Sequence, residues 1–197
     1  MRPTDILRAE HRVIEQVLDC LAVVSARARS AQTIDKESGA AILEVLTTFA
    51  DKCHHGKEED LLFPALERAG MNPGQGPTAV MKMEHVQGRG HLAAMREAMA
   101  DNSASAARAY AEAADAYVAL LRQHIQKEDH CLFGMADSLL SAEVQENLVH
   151  QFETVEVQKM GHGTHQRMLD LATSTAARLH VPFQITEGVT TCCCRTN

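Results

Sequence analysis

The sequence predicts an all-α fold, an up-down-up-down four-helix bundle followed by one or two appended helices. Three observations support this class. Alanine and leucine dominate the 197 residues, aromatic residues make up only 4%, and alternation of β-branched residues is rare, which favours helix over strand. Apolar residues recur at the spacing of one helix face through most of the chain. The first pair of predicted helices is also repeated in the second pair.

The first helix is predicted to begin at Thr4 and Asp5, which follow Pro3, and to end near Ser30. The second begins between Thr33 and Ser38 and ends at Gly70. Each presents one narrow stripe of core-type positions. The stripe of the first helix contains Leu7, His11, Ile14, Leu18 and Leu21. The stripe of the second contains Leu43, Leu46, Ala50, His54, Glu58, Leu61 and Ala65.

A loop over residues 71–77, "MNPGQGP", separates the second helix from the third. A turn over residues 101–105, "DNSAS", separates the third from the fourth. The stripe of the third helix contains Met81, His85, Gly88, Leu92, Met95 and Met99. The stripe of the fourth contains Tyr110, Ala113, Tyr117, Leu120, His124, Glu128, Cys131 and Met135. Short connections between helices of similar length are typical of an up-down-up-down bundle.

Two further helices are predicted over Ser141–Met160 and Thr164–His180, on either side of "GHG". We therefore expect a bundle domain over residues 4–140 and an appended helical segment over 141–180 that packs on it. Residues 181–197 show no periodicity and are expected to form an irregular, flexible tail. This tail contains three adjacent cysteines, Cys192–Cys194.

The four bundle helices form two similar hairpins. "EH" occurs at residues 10–11 and 84–85, and "HxxxE" begins at His54 and again at His124. The repeat predicts a pseudo-twofold axis through the core of the bundle.

Six polar residues lie on the apolar stripes, where water is expected to be excluded. One histidine at such a position is usually a core residue with satisfied hydrogen bonds, but a buried ionised carboxylate costs several kcal/mol. No lysine or arginine lies on these stripes to neutralise the acids, whereas a metal ion would do so. We therefore predict a metal site. Its candidate ligands are His11, His54, Glu58, His85, His124 and Glu128.

Nitrogen and oxygen ligands in two similar halves suit two adjacent ions bridged by carboxylates, as in di-iron and di-manganese bundles. Structural zinc prefers four-coordinate closure, often with thiolates. Iron is therefore the preferred metal, ahead of manganese and then zinc.

Four segments carry a family resemblance. They are "LRAEHRVIE", "CHHGKEEDLLFPALE", "MEHVQGRGHL" and "HIQKEDHCLF". They resemble, in order over roughly residues 4–140, the hemerythrin HHE cation-binding domain in its bacterial hemerythrin-like form. The resemblance implies a four-helix bundle with a non-haem di-iron centre. It places the family's ligands on the same six residues, with Glu58 and Glu128 as bridging carboxylates.

Several ligand assignments stay open. His55 and Glu59 form a second pair at the same spacing, and Asp129 is an alternative to Glu128. Oxygen-carrying hemerythrins have a second histidine four residues after the one on the third helix, where this chain has Arg89. Since arginine cannot ligate a cation, a ligand is missing or comes from elsewhere, and His165 on the appended helices is the candidate.

The chemistry expected of such a centre is binding of O2, NO or peroxide as a sensor, scavenger or carrier. An enzyme acting on peroxide or NO, an iron donor in iron–sulfur cluster repair, and a plain iron buffer are the alternatives. A redox partner cannot be identified from the sequence. The net charge of −7 without a basic stripe disfavours nucleic-acid binding. The chain shows no signal peptide and no apolar run of the roughly 20 residues that a membrane span requires, so a cytoplasmic protein without membrane contact is expected.

Overall fold

The computed structural model describes residues 1–185. Within them the chain forms six helices and no strand, which confirms the predicted all-α class. The cysteines of the tail, Cys192–Cys194, lie outside the described residues. The six helices are α1 (Pro3–Ala31), α2 (residues 36–68), α3 (Pro77–Ala98), α4 (residues 104–139), α5 (Ala142–Met160) and α6 (Thr164–Leu179).

The helix ends follow from local chemistry. The side chains of Asp35, Ser103 and Ser141 accept hydrogen bonds from backbone N–H groups in the first turns of α2, α4 and α5, as N-cap residues do. At the end of α2, the Met71 N–H donates to the Leu66 carbonyl and the Gly70 N–H to the Glu67 carbonyl. This is the closure of a Schellman motif, and Gly70 has the positive φ that it requires.

The first four helices contact one another in a closed ring. α1 packs against α2 and α4, and α3 packs against α4 and α2. The helices α5 and α6 lie across α1 and α2. As a result, one side of the ring is covered by additional helices.

The apolar interior is divided into two clusters. The larger contains Leu18, Leu46 and Leu92, and the smaller contains Leu7 and Phe133 among others. The predicted ligand residues lie between these clusters along each helix and are themselves buried. The polar groups therefore occupy a layer with apolar side chains on both sides.

Both helices that carry the HxxxE repeat depart from regular α-helix at that repeat. In α2 the segments Leu46–His55 and Glu58–Leu62 are π-helical, and in α4 the segment Glu128–Leu132 is π-helical. A π-helix has i→i+5 hydrogen bonds and usually occurs as a single bulge near a functional site. Sequence periodicity did not reveal these segments, because the apolar pattern was read with the α-helical repeat.

None of the helices within residues 1–185 combines the length and apolarity needed to cross a bilayer.

Two exposed glycines offer a matched test of the backbone assignment. An added Cβ at Gly70 or at Gly90 would meet no atom within 4 Å, but Gly70 has φ +111° and Gly90 lies inside α3. We expect Gly90→Ala to raise the free energy of unfolding by about 0.5–1 kcal/mol because glycine is a poor helix residue. Gly70→Ala should lower it by about 1–3 kcal/mol through backbone strain. Urea denaturation measures both, and changes of the same sign would contradict the assigned conformations.

Candidate metal centre

Two groups of buried side chains present potential metal ligands to one another at the centre of the ring. Within each group, one ligand atom from every residue lies within 4.8 Å of the others. Group one contains His55, Glu58, His85 and His124. Group two contains His11, His54, Glu58 and Glu128. Glu58 belongs to both groups, which places the two potential sites side by side.

Each of the two inner carboxylates faces imidazoles from two different helices. Glu128 Oε2 lies 3.2 Å from His11 Nε2 and 3.3 Å from His124 Nε2. Glu58 Oε1 lies 3.5 Å from His54 Nε2, and its Oε2 lies 3.5 Å from His85 Nε2. Glu128 therefore connects α1 with α4, and Glu58 connects α2 with α3.

The other ring nitrogen of each of these four histidines is held by an outer carboxylate. The Nδ1 contacts are His11 with Asp129 at 2.8 Å, His54 with Glu10 at 2.9 Å, His85 with Glu59 at 2.7 Å and His124 with Glu84 at 2.9 Å. A carboxylate accepts, so we assign the proton to Nδ1, which leaves the Nε2 lone pair directed inward. This is the usual arrangement for histidines that bind metals.

Each outer carboxylate also has a cationic partner, whereas Glu58 and Glu128 pair with no lysine or arginine in the part of the chain that the structure describes. These pairs are Asp129 with Arg12, Glu10 with Lys57, Glu59 with Arg89 and Glu84 with Lys127. The outer layer is therefore balanced in charge. The negative charges of Glu58 and Glu128 must therefore be compensated by the imidazoles, by a proton or by a bound cation.

The unpaired atoms at the centre fit a cation. His11 Nε2, His54 Nε2 and all four oxygens of Glu58 and Glu128 are buried without a hydrogen-bond partner, an expensive condition for so many polar atoms in one place. His85 Nε2 and His124 Nε2 also lie only 3.1 Å apart, so two more potential ligand atoms point to the same place.

The pKa shifts of Glu58, Glu128 and His124 show the effect of burying these charges close together. Burial, followed by the charge of Glu128, raises the pKa of Glu58 well above its ordinary value. Burial also opposes ionisation of Glu128, but His124 and His11 outweigh it and lower its pKa well below the ordinary value. Burial lowers the pKa of His124, but the negative charge of Glu128 and the Glu84 carboxylate at Nδ1 more than compensate and raise it to about 9. The opposite pKa shifts of the two inner carboxylates follow from their burial close to each other.

The structure brings the six principal candidate ligands together and places the alternatives at different positions. His55 lies in group one, its ring stacked 3.8 Å from that of His85. His54 and His55 both face inward because the π-helical segment turns less per residue than an α-helix. Glu59 and Asp129 lie in the outer layer.

His165 lies apart from both groups. It is buried beside Cys53 and Glu156, at the contact of α6 with α2 and α5. The hypothesis that His165 completes the metal centre therefore has no support in the geometry.

A family model, the hemerythrin HHE cation binding domain, matches residues 2–136. The chain belongs to this family. The match confirms the resemblance found in the sequence, and it ends at the close of α4. The helices α5 and α6 of this HHE protein lie beyond the matched region.

Relatives occur in mycobacteria. Proteins of Mycobacterium bovis and of two strains of Mycobacterium tuberculosis, each described as uncharacterized, are 26% identical over 174 residues. The alignments cover 85% of this chain and 66% of each relative, slightly under two thirds of their length. No solved structure gives a significant match.

Sequence reasoning missed the cations of the outer layer. Lys57 and Lys127 occupy equivalent positions of the repeat, three residues after His54 and His124. Each pairs with the carboxylate that holds that histidine. The repeat in the sequence contained this signal, since lysine recurs in both copies. The partners, Glu10 and Glu84, could be identified only from the packing of the helices.

The two lysines provide a matched pair for mutation. The Lys57 side chain is 0% exposed and contacts Glu10 and Glu156, whereas that of Lys127 is 44% exposed. We expect Lys57→Met to lower the free energy of unfolding by about 3–5 kcal/mol because the buried Glu10 and Glu156 lose a cationic partner. Lys127→Met should cost less than about 1 kcal/mol.

Urea denaturation of the metal-loaded variants tests this expectation. Equal losses in the two variants would show that the difference in burial carries no energetic weight.

Proposed function

We propose that this HHE protein holds two adjacent iron ions, one in each group. Glu58, which belongs to both groups, and Glu128, whose Oε2 also lies 3.3 Å from His124 of group one, would be the shared carboxylates. The observation that carries the proposal is the membership of Glu58 in both groups while neither of its oxygens has a hydrogen-bond partner. The charge-balanced outer layer supports it, since the uncompensated charge is confined to the centre. Nitrogen and oxygen donors favour iron, with manganese or zinc as weaker alternatives.

We further infer that α1 to α4 form the up-down-up-down bundle expected of the family. The closed ring of contacts and the short connections between successive helices support this topology. Each helix then contributes at least one ligand, so that assembly of the site requires all four.

Five histidines would serve the two ions, namely His11, His54, His55, His85 and His124. The position expected to lack a ligand, because Arg89 stands where a histidine occurs in oxygen carriers, is supplied in this proposal by His55 from α2. Arg89 instead binds Asp51 through Nε at 2.7 Å and Glu59 through Nη2 at 2.9 Å. It thereby helps to hold the carboxylate that orients His85.

We propose O2, NO or peroxide as the small molecules bound, and a sensor, scavenger or carrier as the role. Bound iron would supply coordination positions and redox chemistry for such molecules. A surface recess lined by Asp51, Lys52, Gly56, Glu59 and Arg89 lies beside group one. Its carboxylates approach the Nδ1 atoms of His55 and His85, so one carboxylate separates the recess from each of these two histidines.

An enzyme that consumes peroxide or NO is the second candidate, and the same recess favours it. The Arg89 side chain that borders the recess is 39% exposed, and its N–H groups that do not bind Asp51 or Glu59 can donate a hydrogen bond to an incoming polar molecule. A donor of iron for iron–sulfur cluster repair, or an iron buffer, would need the same ligands. Of these roles, only the enzyme would consume peroxide or NO over many turnovers.

Iron content tests the ligand assignment. The natively loaded protein should contain about two irons per chain. Glu58→Gln should reduce the content of both sites because Glu58 belongs to both groups, whereas His55→Gln should leave about one iron per chain. Elemental analysis gives the count, and His91→Gln on α3 is the control expected to retain both. Two irons in His55→Gln would remove His55 from the ligand set.

Stopped-flow spectra of the reduced, iron-loaded protein distinguish the roles. A reversible spectral change with O2 or NO is the outcome expected for a binding protein. Loss of peroxide or NO over many turnovers would replace the binding role by an enzymatic one. Absence of any reaction with all three would overturn both and leave iron storage or donation.

A further inference from the structure

A third set of potential ligands lies outside the two groups. Cys53 on α2, Glu156 on α5 and His165 on α6 place one ligand atom each within 4.8 Å of the others. All three are buried, with exposures of 0%, 3% and 3%. We name these three residues the thiol cluster. It joins both appended helices to the ring, at a point next to the proposed iron centre but with no residue in common with it.

His165, like the histidines at the centre, has a ring nitrogen close to a buried carboxylate. Its Nδ1 lies 2.9 Å from Glu156 Oε1, yet neither ring nitrogen has a hydrogen bond of acceptable geometry. Phe49 contacts the ring edge-on at 5.2 Å between centroids, so water is displaced on that side by an apolar group. A buried imidazole directed at a carboxylate and a thiol, but aligned with neither for hydrogen bonding, is suited to coordination of a cation.

Lys57 contacts the thiol cluster without occupying the Glu156 oxygen that faces His165. Lys57 Nζ contacts Glu10 and lies 3.2 Å from Glu156 Oε2. Two buried carboxylates thus share one ammonium. Because Glu156 uses Oε2 for Lys57 and directs Oε1 to His165, it can keep the lysine while Oε1 serves as a ligand.

We propose that Cys53, Glu156 and His165 form a separate mononuclear site for Zn²⁺. Thiolate, imidazole and carboxylate together are a zinc-type set, and three protein ligands leave a fourth position for water. Binding releases the thiol proton to solvent and forms the sulfur–zinc bond, with no change of oxidation state.

The consequence is structural. Each ligand comes from a different helix, so the ion would fasten α5 and α6 to α2. Since Glu10 contacts both Lys57 and His54, the zinc site would also support the layer that orients one histidine of the iron centre. The proposal does not depend on which small molecule the iron centre binds.

The experiment uses the full-length, iron-loaded protein with Cys192→Ser, Cys193→Ser and Cys194→Ser, so that the tail cannot supply thiolates. After incubation with Zn²⁺ and desalting, elemental analysis should find about one zinc per chain in addition to iron. With Co²⁺ in place of Zn²⁺, near-ultraviolet thiolate-to-cobalt absorption should appear. Cys53→Ala and His165→Ala should each lose the zinc and the absorption while keeping the iron.

The control is Cys20→Ala, which removes a buried cysteine of α1 and should change neither reading. Cys53→Ser, closer in volume, replaces Cys53→Ala if the circular dichroism of the latter shows loss of helix. Any of three results would overturn the proposal. The first is a zinc content below about a tenth of an equivalent per chain, and the second is cobalt that binds without thiolate absorption. The third is an equal zinc content in Cys53→Ala and Cys20→Ala. If the protein that keeps Cys53, Glu156 and His165 binds zinc but contains no iron, the zinc site stands and the proposed iron centre is wrong.

Discussion

The burial of two carboxylates without a lysine or arginine of their own is the constraint on which this structure depends. Glu58 and Glu128 are fully buried and lie between two apolar clusters. An uncompensated charge in such a place costs several kcal/mol. The four imidazoles that face these carboxylates, and the outer carboxylates behind the imidazoles, are arranged so that a cation at the centre removes this cost.

The outer layer explains how the imidazoles hold their orientation. Each of the four is fixed through Nδ1 by a carboxylate, and each carboxylate is paired with a cation. Phe133 stacks on His11 and Phe63 on His85, so the rings are also packed from the apolar side. Such support is what a preorganised metal site requires, because a loosely held ligand loses affinity.

The two halves of the ring are similar, and their differences are informative. His55 and Ile125 occupy equivalent positions of the repeat, and only the histidine can bind a metal. As a result, α2 offers one more potential ligand than α4. Lys57 and Lys127 are alike in chemistry but differ in burial, because α5 brings Glu156 and Phe152 over Lys57. The appended helices therefore break the twofold symmetry on one side and create a second polar cluster there.

The sequence by itself determined the helices, their approximate ends and the six principal ligand candidates. It could do so because apolar residues at helical spacing indicate which side of each helix is buried. Ionisable residues on that side are unusual and can be identified from the sequence. Only the tertiary structure decided that His55 turns inward, that Glu59 and Asp129 serve as outer supports, and that His165 lies with Cys53. The inward turn of His55 depends on π-helical winding, and the other assignments depend on the register between helices distant in sequence. Neither is encoded in the periodicity of a single helix.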